Sequence, residues 1–231
     1  MHTSSLNVMQ VVSNLEVGGA QEVVRTLAEN LAAAGCRPIV CAFKDGPLRQ
    51  DIEQLGIPVE ILPDRQYSIV ALPSFIREIW QLRRRLLALV DEYDIDVAQT
   101  HLLRSLDFLV LSLRFKRKLL VFWTFQNALF DLRPDHLSQH AWLLKPKRWA
   151  HHLLYRWGTR WVTGLIAVSE DVKTSILNTM KGIPPQKIQV IFNSVDVDRY
   201  RKDNNKRRMI RQQLGLNDTD QVMAMVATFK P

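Results

Sequence analysis

Residues 15–21, LEVGGAQ, set two adjacent glycines, Gly18 and Gly19, between a strand-like run and a helix-like one. Glycine at such a turn lets the backbone approach a ligand closely, and the helix amides behind it favour an anion such as a phosphate. The spacing is not the GxGxxG of a dinucleotide loop, and a double glycine here also makes an ordinary structural turn. Residues 96–102, DVAQTHL, place His101 at the carboxyl end of a second strand, the end at which open α/β sheets hold ligands. An imidazole there can hydrogen-bond a ligand hydroxyl or a phosphate oxygen, or can be a satisfied structural residue. Residues 122–129, FWTFQNAL, follow a third strand with Gln126 and Asn127. Their amides donate and accept hydrogen bonds, but they cannot carry a proton between steps.

These groups need elements to hold them. Strand-like runs at residues 8–12, 39–43, 59–61, 97–100, 119–125, 165–168 and 187–191 alternate with helical segments. That alternation predicts an α/β, Rossmann-like parallel sheet with helices on both faces. In the first helix Val23, Val24, Leu27 and Leu31 form the apolar face, and Gly35 ends it. Around residues 75–90 a broader set, Phe75, Ile76, Ile79, Trp80, Leu86, Leu87 and Val90, predicts a deeply packed helix. Ser169 supplies a hydroxyl to the start of a later helix, with Glu170 and Asp171 in its first turn. Val172, Ile176, Leu177 and Met180 line one side of that helix, Gly182 suits a left-handed cap, and Pro184 and Pro185 stop it.

Residues 131–161 differ in kind. Trp142, Trp149, Trp157 and Trp161 stand among Lys145, Lys147, Arg148, Arg156 and Arg160, with His136, His140, His151 and His152 interspersed. Cations for headgroups and indoles for the boundary fit a peripheral contact with an anionic membrane. The competing expectation is a connecting helix whose tryptophans face the sheet. The histidines follow no metal-ligand spacing, and no metal site is expected.

The 231 residues, 47% hydrophobic and 23% charged, are those of an ordinary globular protein able to bury a core. No apolar run is long enough to span a bilayer, and the start lacks the pattern of a secretory signal, so a cytoplasmic location is expected, with a peripheral one at the inner face of a membrane as an option. Cys36 and Cys41 fit neither a zinc spacing nor CxxC and are expected to be buried reduced thiols. The net charge of +8 gathers in clusters that could face phosphates, anionic lipid or nucleic acid. No nucleic-acid-binding signature accompanies them, and a nucleic-acid partner is not expected.

The string 164–200, GLIAVSEDVKTSILNTMKGIPPQKIQVIFNSVDVDRY, resembles the end of the first domain of GT-B glycosyltransferases of family four. The glycine loop, the Asp96, Val97 and His101 set, and Thr124 with Asn127 resemble that family's earlier segments in the same order. Gln21, Gln126 and Ser194 stand where the family usually has glutamate, histidine and glycine. The resemblance implies the N-terminal half of a GT-B fold, at residues 1–192. It makes 193–231 an interdomain linker plus the first strand, 222–228, of a truncated nucleotide-sugar-binding domain. It also implies substrate contacts from Gly18, Gly19, His101, Gln126, Asn127, Ser169 and Asn193, with a nucleotide sugar as donor substrate, a glycan or lipid-linked acceptor, and no cofactor. The family's donor-holding lysine or arginine and paired glutamates have no counterpart here, so the catalytic residues are unknown and the isolated chain is expected to be inactive. A non-catalytic acceptor- or partner-binding domain, a basic module for anionic surfaces, and a fragment of a sugar epimerase of the same layout are the alternatives.

Overall fold

The computed structural model describes residues 5–63, 72–101, 105–127, 144–180, 182–195, 197 and 201–225. The chain divides into two compact units, Met1–Ser194 and Val195–Pro231.

The first unit alternates strand and helix: β1 (Asn7–Asn14), α1 (Gly19–Ala33), β2 (Arg37–Lys44), α2 (Leu48–Gln54), β3 (Val59–Ile61), α3 (Leu72–Glu92), β4 (Val97–His101), α4 (Ser105–Leu113), β5 (Leu120–Phe125), α5 (Leu144–Gly158), β6 (Gly164–Ala167), α6 (Glu170–Thr179) and β7 (Ile188–Val190). The seven strands form one sheet in the order β3-β2-β1-β4-β5-β6-β7, every pairing parallel. Side chains alternate across a strand, so each residue's parity fixes its face. Met9, Val11, Ile39, Cys41, Val121, Trp123 and Leu165 pack with Leu86 of α3, Val110 of α4, Tyr155 of α5 and Ile176 of α6. Val12, Val40 and Ala42 pack on the other side with Val24 and Ala28 of α1 and Ile52 of α2. Helices on both faces thus cover a parallel sheet, as the alternation predicts.

Three helices differ in detail from their apolar patterns. In α1 the deep contacts are Val24 and Ala28, while Val23, Leu27 and Leu31 stay half-buried. Leu27 and Leu31 instead edge a groove of about 430 Å³ over the second face of the sheet, with Val97, Phe122 and Ile166 on its floor. In α3 the core side is Leu82, Leu86, Leu89 and Val90, with Ile79 and Leu87 of the expected set packed against it. Ile76 and Trp80 are exposed, Trp80 at 55%, where Arg84 lies 4.6 Å from the ring centroid. The side chain of Phe75 lies outside the described residues. In α5 the core contact is made by Tyr155 and Gly158, while Trp149 and Trp157, and Trp161 just past the helix, face outward. The expectation that the tryptophans face the sheet is therefore overturned for these three; Trp142 lies outside the described residues.

An aromatic hub explains that orientation. Phe108, Trp123 and Tyr155 meet edge-on or tilted at 5.0–5.2 Å between centroids. A Cβ on Gly158 would stand 2.6 Å from Phe108 Cε1 and 2.7 Å from Trp123 Cη2, so only glycine lets α5 come this close. Tyr155 Oη donates to buried Asp107 Oδ2 at 2.6 Å.

In α6 the expected signals act locally. Ser169 Oγ accepts from Val172 N at 3.2 Å, Val172, Ile176 and Met180 are buried, and Gly182 takes φ +91°. Cys36 and Cys41 are both free thiols, but the expected burial holds for Cys41 alone, where desolvation raises its pKa, and Cys36 just before β2 is half-buried.

In the second unit, α7 (Asn204–Gln213) starts at Asp203, whose carboxylate accepts from the amides of Asn205 and Lys206 and is held below its ordinary pKa by those bonds. The Arg211 guanidinium closes the following turn on the carbonyls of Asn217 and Asp220. Residues 222–225 of the expected strand 222–228 are not a strand, and Met223 is 99% exposed. A parallel strand needs a neighbour to bond, and none is formed by the described residues. Residues 226–231 lie outside the description.

Candidate functional site

The strand order turns back between β1 and β4, since the chain proceeds outward from β1 on one side and from β4 on the other. Loops leaving adjacent strands diverge there and open a crevice at the carboxyl edge, the usual binding place of open α/β sheets. Gly18 and Gly19 leave β1 at this point, and His101 ends β4.

The loop after β1 is tied at several points. Asn14 Oδ1 accepts from Glu16 N at 3.1 Å and from Gln21 Nε2 at 2.8 Å. Leu15 is fully buried and exchanges backbone bonds of 3.1 Å with Lys44 and Leu48. Gly18 caps α1 in extended conformation without any side-chain bond to the helix start. Among the described residues the first amides of α1 thus have no side-chain acceptor and stay available to an anion or solvent. A Cβ on Gly19 would meet nothing within 4 Å, which leaves room for a ligand beside the backbone. Gly46 belongs to no motif of the chain but supports this loop: a Cβ on it would stand 2.3 Å from the Leu15 carbonyl carbon and 2.5 Å from Glu16 N. Only glycine lets the turn after β2 brace this loop; the Asp-Gly-Pro sequence there marks a turn but not the contact.

Beneath the edge runs a polar row. Gln10 stands beside Gln99 in register, and His101 stands beside Thr124. Gln99 Nε2 donates to Thr124 Oγ1 at 2.8 Å. Gln10 is fully buried, and neither its amide oxygen nor its nitrogen is bonded among the described residues. His101 is 4% exposed with both ring nitrogens likewise unbonded, and burial pulls its pKa from 6.5 down to about 4. The imidazole is therefore neutral near pH 7, able to donate one hydrogen bond and accept one, and it brings no positive charge to a phosphate.

A second group sits where β5 and β7 end. Gln126 Oε1 accepts from Asn193 Nδ2 at 3.2 Å, while Gln126 Nε2 is buried without a partner among the described residues. Asn127 is exposed beside it. The hydroxyl of Ser169 follows β6 and is used by the α6 cap. The structure thus pairs Gln126 with Asn193, sets Gly18 and Gly19 at the strand end next to that of His101, and gives Ser169 a helix-capping bond. Gln10 and Gln99 belong to the polar row, yet a strand pattern alone does not single them out, because a glutamine inside a strand is ordinarily an outward-facing residue. Among the described residues no three His, Cys, Asp or Glu side chains stand close enough to hold a metal ion.

A sequence profile of the family described as Glycosyltransferase Family 4 matches residues 17–199. No curated protein sequence matches the chain. Among solved structures, the chain is similar to a glycosyltransferase from Rickettsia africae, with TM-score 0.67 and 16% identity over 94% of this chain and 51% of that one. It is also similar to HepE of Anabaena in complex with UDP and glucose, with TM-score 0.64 and 20% identity over 91% and 50%. The sucrose-phosphate synthase of Thermosynechococcus elongatus gives TM-score 0.64 and 15% identity over 92% and 53%. At such identities the likeness is one of fold, and the chain spans about half the length of each of these structures.

Proposed function

Because the chain belongs to Glycosyltransferase Family 4, we propose that it is the acceptor-side part of a GT-B enzyme that moves a sugar from a nucleotide sugar to a glycan or lipid-linked acceptor. Cell-envelope or polysaccharide biosynthesis is the setting this reading gives it, on the cytoplasmic side, in peripheral contact with an anionic membrane. In the proposed division of labour residues 1–192 hold the acceptor, and residues 193–231 lead towards a donor-binding domain. The chain by itself then binds acceptor but turns over no donor.

The observation that carries the reading is the carboxyl edge of the sheet. A braced glycine loop, a neutral buried imidazole and the Gln126–Asn193 amide pair follow the ends of β1, β4, β5 and β7. Neutral donors and acceptors suit sugar hydroxyls, and the uncapped start of α1 suits a phosphate of the donor or of a lipid-linked acceptor. Developing charge on the leaving diphosphate calls for cationic or amide groups aimed at it. The described edge residues supply amides for that purpose, and the cationic share is assigned to the donor side.

The test combines calorimetry of the full chain against UDP-glucose and GDP-mannose with saturation-transfer NMR against neutral oligosaccharides. The expected result is oligosaccharide contact that weakens in Gln126→Ala and Asn193→Ala, with no micromolar binding of either nucleotide sugar. Micromolar binding or turnover of a nucleotide sugar by the chain alone overturns the division of labour. Oligosaccharide contact unchanged in both variants removes the amide pair from the acceptor site.

A further inference from the structure

Tyr155 and Gly158 turn one side of α5 to the aromatic hub. At about 100° per residue, Leu153 stands roughly 200° from Tyr155, on the opposite side of the helix. That outer side carries Trp149 at 68% exposure, Leu153 at 50% and Trp157 at 49%, with Leu154 beside them. They line an open hollow of about 580 Å³ whose margin includes Arg156 and Arg160. The apolar ridge continues past the helix: Trp157 and Trp161 stand 6.3 Å apart by ring centroids, and Trp161 meets the exposed Phe115 edge-on at 5.6 Å. Phe115 belongs to the turn Arg114-Phe115-Lys116-Arg117-Lys118, which is exposed throughout. The Arg114 guanidinium donates to the carbonyl of Trp161 and ties this turn to the end of the α5 segment.

Charge decides what covers the ridge. No acidic residue occurs between Asp135 and Glu170. Arg156, Arg160, Lys116 and Lys118 make no ion pair among the described residues, whereas Arg117 is paired with Asp91. Arg114 also lowers the pKa of Lys187, after partial burial as the larger cause, so the positive groups here crowd one another. Protein interfaces enrich tryptophan and arginine but deplete lysine, and here Lys116 and Lys118 stand exposed beside the ridge. Indoles on a ridge flanked by unpaired cations match a bilayer boundary instead, where rings sit at headgroup depth and cations meet phosphates.

We propose that the outer side of α5, with Trp161 and the Phe115 turn, is a docking surface for an anionic lipid bilayer. The surface gives a location to the peripheral membrane contact in the function proposed above, and it needs no sugar chemistry. The test is flotation of the full chain with phosphatidylcholine vesicles, with and without phosphatidylglycerol, at low and high salt, beside ultracentrifugation without lipid. The chain is expected to float with the anionic vesicles at low salt and to be released from them by high salt. Trp149→Ser with Trp157→Ser should weaken association roughly tenfold. Lys116→Glu with Arg160→Glu should weaken it at least about tenfold, at surface positions where charge reversal leaves packing alone. Near-ultraviolet dichroism from the buried Trp123 hub checks that each variant is folded. No association with either vesicle, or equal association with both, overturns the proposal. So does self-association without lipid that the tryptophan variant abolishes, which assigns the ridge to a second copy of the chain. Because no sugar donor or acceptor is present, failure here leaves the transferase reading standing, and failure of sugar binding leaves the docking surface standing.

Discussion

Acidification should destabilise the first unit through His101, and the size of the effect follows from its burial. An unfolded imidazole takes up a proton near 6.5, whereas the buried one does so only near about 4. Between those values the unfolded state binds more protons, so stability falls as the pH drops from about 6.5 to about 4 and is flat, for this group, above and below that window. At about 1.4 kcal/mol for each tenfold in proton affinity, the full loss is about 3 kcal/mol, a large share of the 5–15 kcal/mol typical of a domain. His101→Gln keeps a polar side chain and removes the titration. Urea unfolding at a series of pH values, followed by near-ultraviolet dichroism, should show the wild-type and variant curves converging or crossing as the pH falls from 7 to about 4. Carboxylates affect both proteins alike, so the difference between the curves isolates the imidazole. Curves that stay parallel would refute the reasoning, because the folded imidazole would then accept a proton as freely as in water.

Three further outcomes test the packing around the edge. Gly158→Ala drives a Cβ to 2.6 Å from Phe108 and 2.7 Å from Trp123 and should cost about 1–3 kcal/mol in unfolding free energy, with altered near-ultraviolet dichroism of the hub. Tyr155→Phe removes the 2.6 Å bond to buried Asp107 and should cost about 1–3 kcal/mol; a double-mutant cycle with Asp107→Asn gives the coupling between them. Ser169→Ala should cost about 1 kcal/mol of stability while leaving oligosaccharide contact unchanged, because the hydroxyl serves the start of α6.

The seven strands, the cap at Ser169, the left-handed Gly182 and the α/β class were legible in the linear chain, because each depends on neighbours a few residues away: alternation or helical period, a side chain reaching its own helix start, a backbone sign that glycine tolerates. The places of Gly18, Gly19, His101, Gln126 and Asn193 at strand ends were legible for the same reason. Which side of an element meets the core was less so. In α1, Ala28 rather than Leu27 or Leu31 reaches the sheet, and in α3 Ile76 and Trp80 stay outside while Ile79 packs on the core, since period alone does not say what stands opposite. The tryptophans of α5 were assigned outward by residues far along the chain: Gly158 can approach only because Phe108 and Trp123 stand where they do. The same holds for the chemistry of the edge. The order of residues set a histidine at the end of β4, but its neutrality comes from the desolvation that burial in the folded sheet imposes. Gly46 became part of the loop through contact with Leu15 across two strands. Local geometry is written in adjacent residues; burial, and the charge state that burial dictates, exist only once distant segments have closed around a group.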